Sequence, residues 1–162
     1  MIREFNSYRE ILAIDPGLQA TGWAVLSDKT GALLACGIAQ PFAQVSQTHS
    51  IAELRLKILK IWEERVGFSK NPAVLAVEMD NSIPLSVMSG LLWASFSPGR
   101  CYLPKSATWK TTQEQIMAGL DMRAKKVLAE DLHVIPKHLR HNVYDAIGIG
   151  QWAFKQLTGE AK

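Results

Sequence analysis

The chain has 162 residues, 48% of them apolar and 20% charged, with a formal net charge of +3 and a pI near 8.9. That apolar fraction excludes a disordered chain, the length suits one domain with a sizeable core, and the mild basicity is compatible with a polyanionic partner without requiring one. No apolar run approaches the length of a membrane span, and the first ten residues carry no signal-peptide core, so a soluble, intracellular protein of the cytoplasm or nucleoid with no membrane partner is expected.

Residues 1–9 read as a polar N-terminal extension to a single domain that fills the rest of residues 1–162. The apolar run Ile11-Leu12-Ala13-Ile14 then ends on one carboxylate, Asp15, and the turn Pro16-Gly17. An apolar run cut off by turn residues reads as a strand buried on both faces. A second strand follows at residues 21–26, a hairpin turn at residues 27–31 and a third strand at residues 33–38. Residues 46–65 predict a helix with Ile51, Leu54, Ile58, Leu59, Ile61 and Trp62 towards one side. Val74-Leu75-Ala76-Val77 repeats the opening pattern, an apolar strand whose first charge is Glu78. Asp80, beside Asn81 and Ser82, reads as a turn or helix-start residue. An apolar helix at residues 84–96, a short strand at 100–103 and helices at 112–118 and 122–132 complete the middle of the chain. The last helix centres on residues 142–153, where Ala146, Ile149, Gly150 and Ala153 form a smooth stripe with Asp145 beside it. Strands and helices in this order predict an α/β layered fold. Cys36 and Cys101 sit in apolar strand-like runs and read as buried thiols, neither a disulfide nor a metal pair.

Asp15, Glu78 and Asp145 are three isolated acids, each at the boundary of an apolar element and far apart in sequence. Desolvating a carboxylate is costly unless something positive meets it, so convergence on a divalent cation accounts for all three. Hard oxygen ligands select Mg²⁺ or Mn²⁺ over zinc, and the sequence supplies no Cys/His cluster. It supplies no phosphate-cradling Gly-rich loop either, so no nucleotide cofactor is expected.

Strand-Asp-Pro-Gly, then Thr21-Gly22-Trp23-Ala24-Val25, an apolar strand ending in Glu78, and a late helix with His141-Asn142-Val143-Tyr144-Asp145-Ala146-Ile147 together resemble the RuvC-type Holliday-junction resolvases of the ribonuclease H-like nuclease superfamily. The resemblance runs from about Ile11 to about Phe154. It implies a mixed five-stranded sheet with helices on both faces and a Mg²⁺-dependent endonuclease for branched DNA, with Mn²⁺ able to substitute. Two ions roughly 3.5–4 Å apart would activate water and stabilise the leaving oxygen. By the same resemblance Asp15 is the bridging ligand, and Glu78 and Asp145 each bind one ion. The remaining alternatives are an inactive nucleic-acid-binding module of this fold, or a nuclease for flaps or structured RNA.

The chain also departs from the family. A fourth ligand stands one turn before the last acid in RuvC-type enzymes, and the matching position here is Asn142, with His141 beside it. Positions three and four before Asp145 share its side of a helix, so either is a candidate: Asn142 as a neutral oxygen ligand, His141 as a nitrogen ligand or proton shuttle. Alternatively, His141 caps the helix or contacts phosphate. The segment 79–84 is short and carries no aromatic before Trp93, where the family has a longer region with an aromatic that helps open the junction. Phosphate contacts fall to Lys110, Arg123, Lys125 and Lys126. Trp109 reads as a core residue in preference to a base-stacking one. The resemblance further implies a homodimer, with the contact on the helix at residues 84–96, where Ser89 and Gly90 permit close approach, and on parts of the helix at residues 46–65.

Overall fold

Alternation along the first apolar run divides it between two cores. Strand β1 (Tyr8–Asp15) sends Ile11 and Ala13 to one face of the sheet and Leu12 and Ile14 to the other, because successive strand side chains point in opposite directions. The computed structural model of the chain describes residues 8–42, 46–66, 71–96 and 98–160. Within them β1 is the central strand, antiparallel to β2 (Thr21–Ser27) and parallel to β4 (Pro72–Val77). Strands β3 (Leu33–Ala39) and β5 (Arg100–Tyr102) are the edges, giving the order β3-β2-β1-β4-β5. A central strand covered on both faces must be apolar throughout, as this run is.

Helices α1 (Gln47–Val66) and α2 (Ile83–Ser95) cover one face. Ile51, Leu54, Ile58 and Trp62 of α1 are buried there, and Trp62 meets Phe96 edge to face, with ring centroids 6.3 Å apart. The opposite face is covered by α5 (Met122–His133) and α6 (Arg140–Thr158), with α3 (Ser106–Trp109) and α4 (Gln113–Ala118) packed against α6. Thr112 and Gln115 form a reciprocal capping box on α4, and the Asp121 carboxylate accepts the Ala124 N–H at 2.7 Å to start α5. The mixed five-stranded α/β sheet with helices on both faces is therefore as the sequence implies. Cys36 packs into the α6-side core and Cys101 against the α1-side core, so the two thiols lie on opposite faces of the sheet and both are free.

Two details differ from expectation. The first strand begins at Tyr8, paired with Pro72, so residues 8 and 9 belong to the sheet; residues 1–7 lie outside the described residues. Ser89 does not line an outward surface of α2. It is fully buried, and its hydroxyl donates to the carbonyls of Glu78 and Leu85, both at 3.0 Å. Gly90 does stand on the outer side of α2, with open space around it.

The smooth stripe on α6 brings the helix onto the sheet. Ala146, Ile149 and Ala153 are fully buried, and a Cβ on Gly150 would meet Leu26 Cδ1 at 2.3 Å and Ala13 Cβ at 3.2 Å. Closer to the helix start, a Cβ on Gly22 would lie 1.9 Å from the Asn142 carbonyl oxygen, a backbone atom that cannot swing aside. Gly22→Ala should therefore destabilise the fold by about 1–3 kcal/mol, the range of overpacking, whereas Gly90→Ala in the exposed middle of α2 should stabilise it by about 0.5–1 kcal/mol. Urea denaturation measures both, and a Gly22→Ala protein as stable as wild type would show that α6 is free to lift from β2.

Candidate active site

Strand period fixes two of the acids. Asp15 continues the Ile11, Ala13 series and Glu78 the Val74, Ala76 series, so both belong to the sheet face that α6 covers. The two strand ends are locked together, with the Glu78 N–H donating to the Ile14 carbonyl at 3.1 Å and the Met79 N–H to Pro104 at 2.8 Å. The Ser89 hydroxyl holds the Glu78 carbonyl from behind. On the other side, Asp15 pairs with Gly22, against which the Asn142 carbonyl rests. One turn further along α6 stands Asp145, so three elements deliver one carboxylate each to the same end of the sheet. The turn after Asp15 is closed by Thr21, whose fully buried hydroxyl donates to the Gly17 carbonyl at 3.0 Å.

The charges register one another strongly. Burial, then the negative charges of Asp145 and Glu78, push the Asp15 carboxyl up to about 8, against a smaller opposing pull from Lys110. The Asp15 and Glu78 carboxyls also act on each other directly, their contact raising Asp15 and lowering Glu78. Glu78 is also raised, by burial first and by Asp145, although Lys110 opposes the shift. The Lys110 ammonium meets Asp145 Oδ2 at 2.9 Å. Burial lowers its affinity for the proton, but Asp145, Asp15 and Glu78 together outweigh that and hold it above the usual range. The ammonium also lies 5.1 Å from the centroid of Trp109, which is buried in the core against Gly148.

These donors fit a hard divalent cation in kind: oxygen ligands only, with more negative charge than one lysine neutralises. Among the described residues no group of three or more His, Cys, Asp or Glu side chains is arranged to hold a metal ion as it stands. In this arrangement the Asp145 carboxylate is met by the Lys110 ammonium.

The remaining candidates fall in different places. His141 is exposed in the first turn of α6, and its Nδ1–H donates to the His138 carbonyl at 2.9 Å. In the neutral ring that leaves Nε2 as the accepting nitrogen. Asn142 is half-buried. Arg123, Lys125 and Lys126 are exposed on α5, which leans on the edge strand β3 and not on the acid-bearing β1 and β4; Lys126 also pairs with Glu130 at 4.0 Å. Asp80 makes a turn, its carboxylate accepting the Ser82 N–H at 2.6 Å. Sequence reasoning assigned Lys110 to phosphate and missed its pairing with Asp145. It also missed Ser89 as a support for Glu78, for which helical spacing gave no signal.

No family model matches the chain. Over 88 residues it is 35% identical to the crossover junction endodeoxyribonuclease RuvC of Xanthobacter autotrophicus, a match covering 52% of this chain and 49% of that protein. The chain thus spans about half the length of the curated relative it matches, a distant similarity. Thermus thermophilus RuvC superposes with a TM-score of 0.56 at 19% identity, over 94% of this chain and 98% of that one. The same protein in complex with Holliday junction substrate gives 0.54 at 17% identity, over 96% and 99%. The fold is the RuvC-type, ribonuclease H-like fold. No helix among the described residues is long and apolar enough to cross a membrane.

The raised Asp15 value has a measurable consequence in metal-free protein. Its folded-state value lies above the unfolded one, so the stability it contributes is fully present below about pH 4 and is lost as pH rises towards 8. The melting temperature of Asp15→Asn, which carries no such proton, should therefore gain on wild type progressively from pH 5 to pH 8. A constant difference across that range, read by thermal denaturation in a chelator, would show that Asp15 is ionised throughout.

Proposed function

We propose that this chain is a Mg²⁺-dependent endonuclease for branched DNA, four-way junctions first, with Mn²⁺ able to substitute. The observation that carries this reading is the delivery of Asp15, Glu78 and Asp145 by three separate elements to one end of a RuvC-type sheet, with Lys110 beside them. Asp15 would lie between two ions, with Glu78 holding one and Asp145 the other, and bound ions would supply water activation and charge neutralisation at the leaving oxygen.

The protein's own groups divide the remaining work. Asp15, held up to about 8, would have to give up its proton before it could ligate, so apparent metal affinity should rise with pH towards 8. Lys110, which pairs with Asp145 in this structure, would offer its ammonium to the scissile phosphate. His141 Nε2 stands free to move a proton, while Asn142 would serve as a neutral ligand through its side-chain oxygen. Arg123, Lys125 and Lys126 would hold phosphates of a DNA arm, a contribution that carries no sequence preference and weakens with salt.

Junction resolution needs two nicks, and we propose a homodimer that supplies two sites. Ile83, Val87, Leu91 and Trp93 make one side of α2 apolar and exposed, while Met88 and Leu92 fill the core. An apolar surface of this kind beside α1 suits a second copy of the chain. Replacing Gly90 by Leu at the centre of that face should weaken assembly and leave the metal site intact, as light scattering and metal titration would report.

Asp15→Asn, Glu78→Gln and Asp145→Asn should each abolish cleavage of four-way-junction DNA in Mg²⁺ while leaving metal-free binding in place, and their effects should be strongly non-additive. His141→Ala should cost roughly 10²–10⁴-fold in rate and alter the pH profile if His141 moves a proton, and Asn142→Asp should tighten metal binding. Near-wild-type cleavage by Asp15→Asn would sink the metal assignment. Binding of junction DNA without cleavage by the wild-type protein would mark an inactive binding module, and preference for flaps or RNA would redirect the substrate.

A further inference from the structure

Among the described residues Phe42 is the most exposed of the large apolar side chains, at 92%, yet it is held by several contacts. Its backbone N–H donates to Glu53 Oε1 at 2.8 Å. The Lys57 ammonium lies 3.6 Å from the ring centroid, pairs with Glu53 at 3.1 Å and donates to the Gln40 carbonyl. One face of the ring is thus backed by a cation held by Glu53 of α1 and by the Gln40 carbonyl past the end of β3, and the other is open to solvent. A core residue would not be so exposed, and an unstructured loop would not be so tied. Lys57 neutralises Glu53, so this corner presents an aromatic face and an ammonium without a net repulsion towards anions.

Its location follows from strand register. Asp15 lies opposite Gly22, and Gly22 opposite Ile38, so β3 stands two strand spacings, about 10 Å, from Asp15; Phe42 lies four residues beyond Ile38 and leans on α1, which covers the sheet face opposite the one that carries the acids. Gln40-Pro41-Phe42 continues from the end of β3, at the end of the sheet where the acids converge. We infer that Phe42, backed by Lys57, is a stacking platform for an unpaired base of a nucleic acid whose backbone crosses the Asp15 site. Every base has a π face, so such a platform accepts any sequence, provided that the base is out of its pair. It would mark a branch point or single-stranded stretch in preference to intact duplex. The inference rests on the nucleic-acid reading of the acid site and adds the contact by which an unpaired nucleotide is recognised.

The test is equilibrium binding of the full chain, in chelator, to a four-way junction, a single strand and a duplex, by fluorescence anisotropy over a salt series. Phe42→Ala and Phe42→Leu should both weaken junction and single-strand binding by about 5–150-fold, the range of one base–aromatic stack, with little change for duplex. Phe42→Trp should restore wild-type affinity. The slope of log affinity against log salt should be unchanged in the Phe42 variants, because stacking releases no counterions. Wild-type affinity in Phe42→Ala, or a loss shared equally with duplex, overturns the platform while leaving the nuclease reading intact. Absence of any wild-type binding overturns both, whereas binding without cleavage in Mg²⁺ or Mn²⁺ overturns the nuclease reading alone.

Discussion

Repulsion among carboxylates that cannot separate is the constraint on which this molecule is organised. Asp15 sits at the end of the central strand, mostly removed from water, with Glu78 on the neighbouring parallel strand and Asp145 on the helix above. Little solvent is left around Asp15, while Glu78 and Asp145 are part-exposed, and the fold answers with a proton held on Asp15 and the ammonium of Lys110 on Asp145. Both are monovalent answers to a charge that a divalent ion would meet better. A site held this way is expensive for stability, and sites of that kind concentrate where chemistry is done.

The rest of the scaffold keeps the acids close. A helix can carry Asp145 to the edge of Asp15 only if its backbone nearly touches the sheet, and this is why Gly22 faces the Asn142 carbonyl and Gly150 faces Leu26 and Ala13. A methyl at either place would push α6 outward and open the cluster. Ser89 acts on the opposite flank, where its buried hydroxyl ties the first residue after β4 to α2. The small residues of the sequence are thus spent at points where an ångström of displacement would alter the electrostatics.

How much of this was legible in the chain follows from the range of each interaction. The strands and the small-residue stripe are local patterns, with period two along Ile11–Ile14 and helical spacing from Ala146 to Ala153, and each appears as expected. Lys110 was visible only as one of several cations, because its partner lies 35 residues away and no periodicity links them. The helix Ser106–Trp109 is a single turn, too short to show a repeat, yet it sets Trp109 under Gly148 and so aims Lys110. Arg123, Lys125 and Lys126 looked equivalent to Lys110 by composition, but the topology sends α5 to the far edge strand β3. Proximity in sequence to a late acid did not become proximity in space.

The short connection after Glu78 sharpens the question of substrate. Asp80 folds it back onto Ser82 and Ser86, so the chain enters α2 within five residues of the acid and this connection puts no loop over the site. Ile83 is 79% exposed at that helix start, and Phe42 stands past the end of β3 on the other flank. Strands β3 and β4 both run parallel to β1, so their C-terminal ends share one edge of the sheet with Asp15 between them. An anionic strand laid across the acids would therefore run between two apolar protrusions, one aliphatic and one aromatic, neither of them on a long insertion. On the proposed nucleic-acid reading, selection for an open or branched structure would have a physical basis without a long loop: duplex keeps its bases stacked inside, and only a nucleotide already out of its pair could offer a face to the ring backed by Lys57.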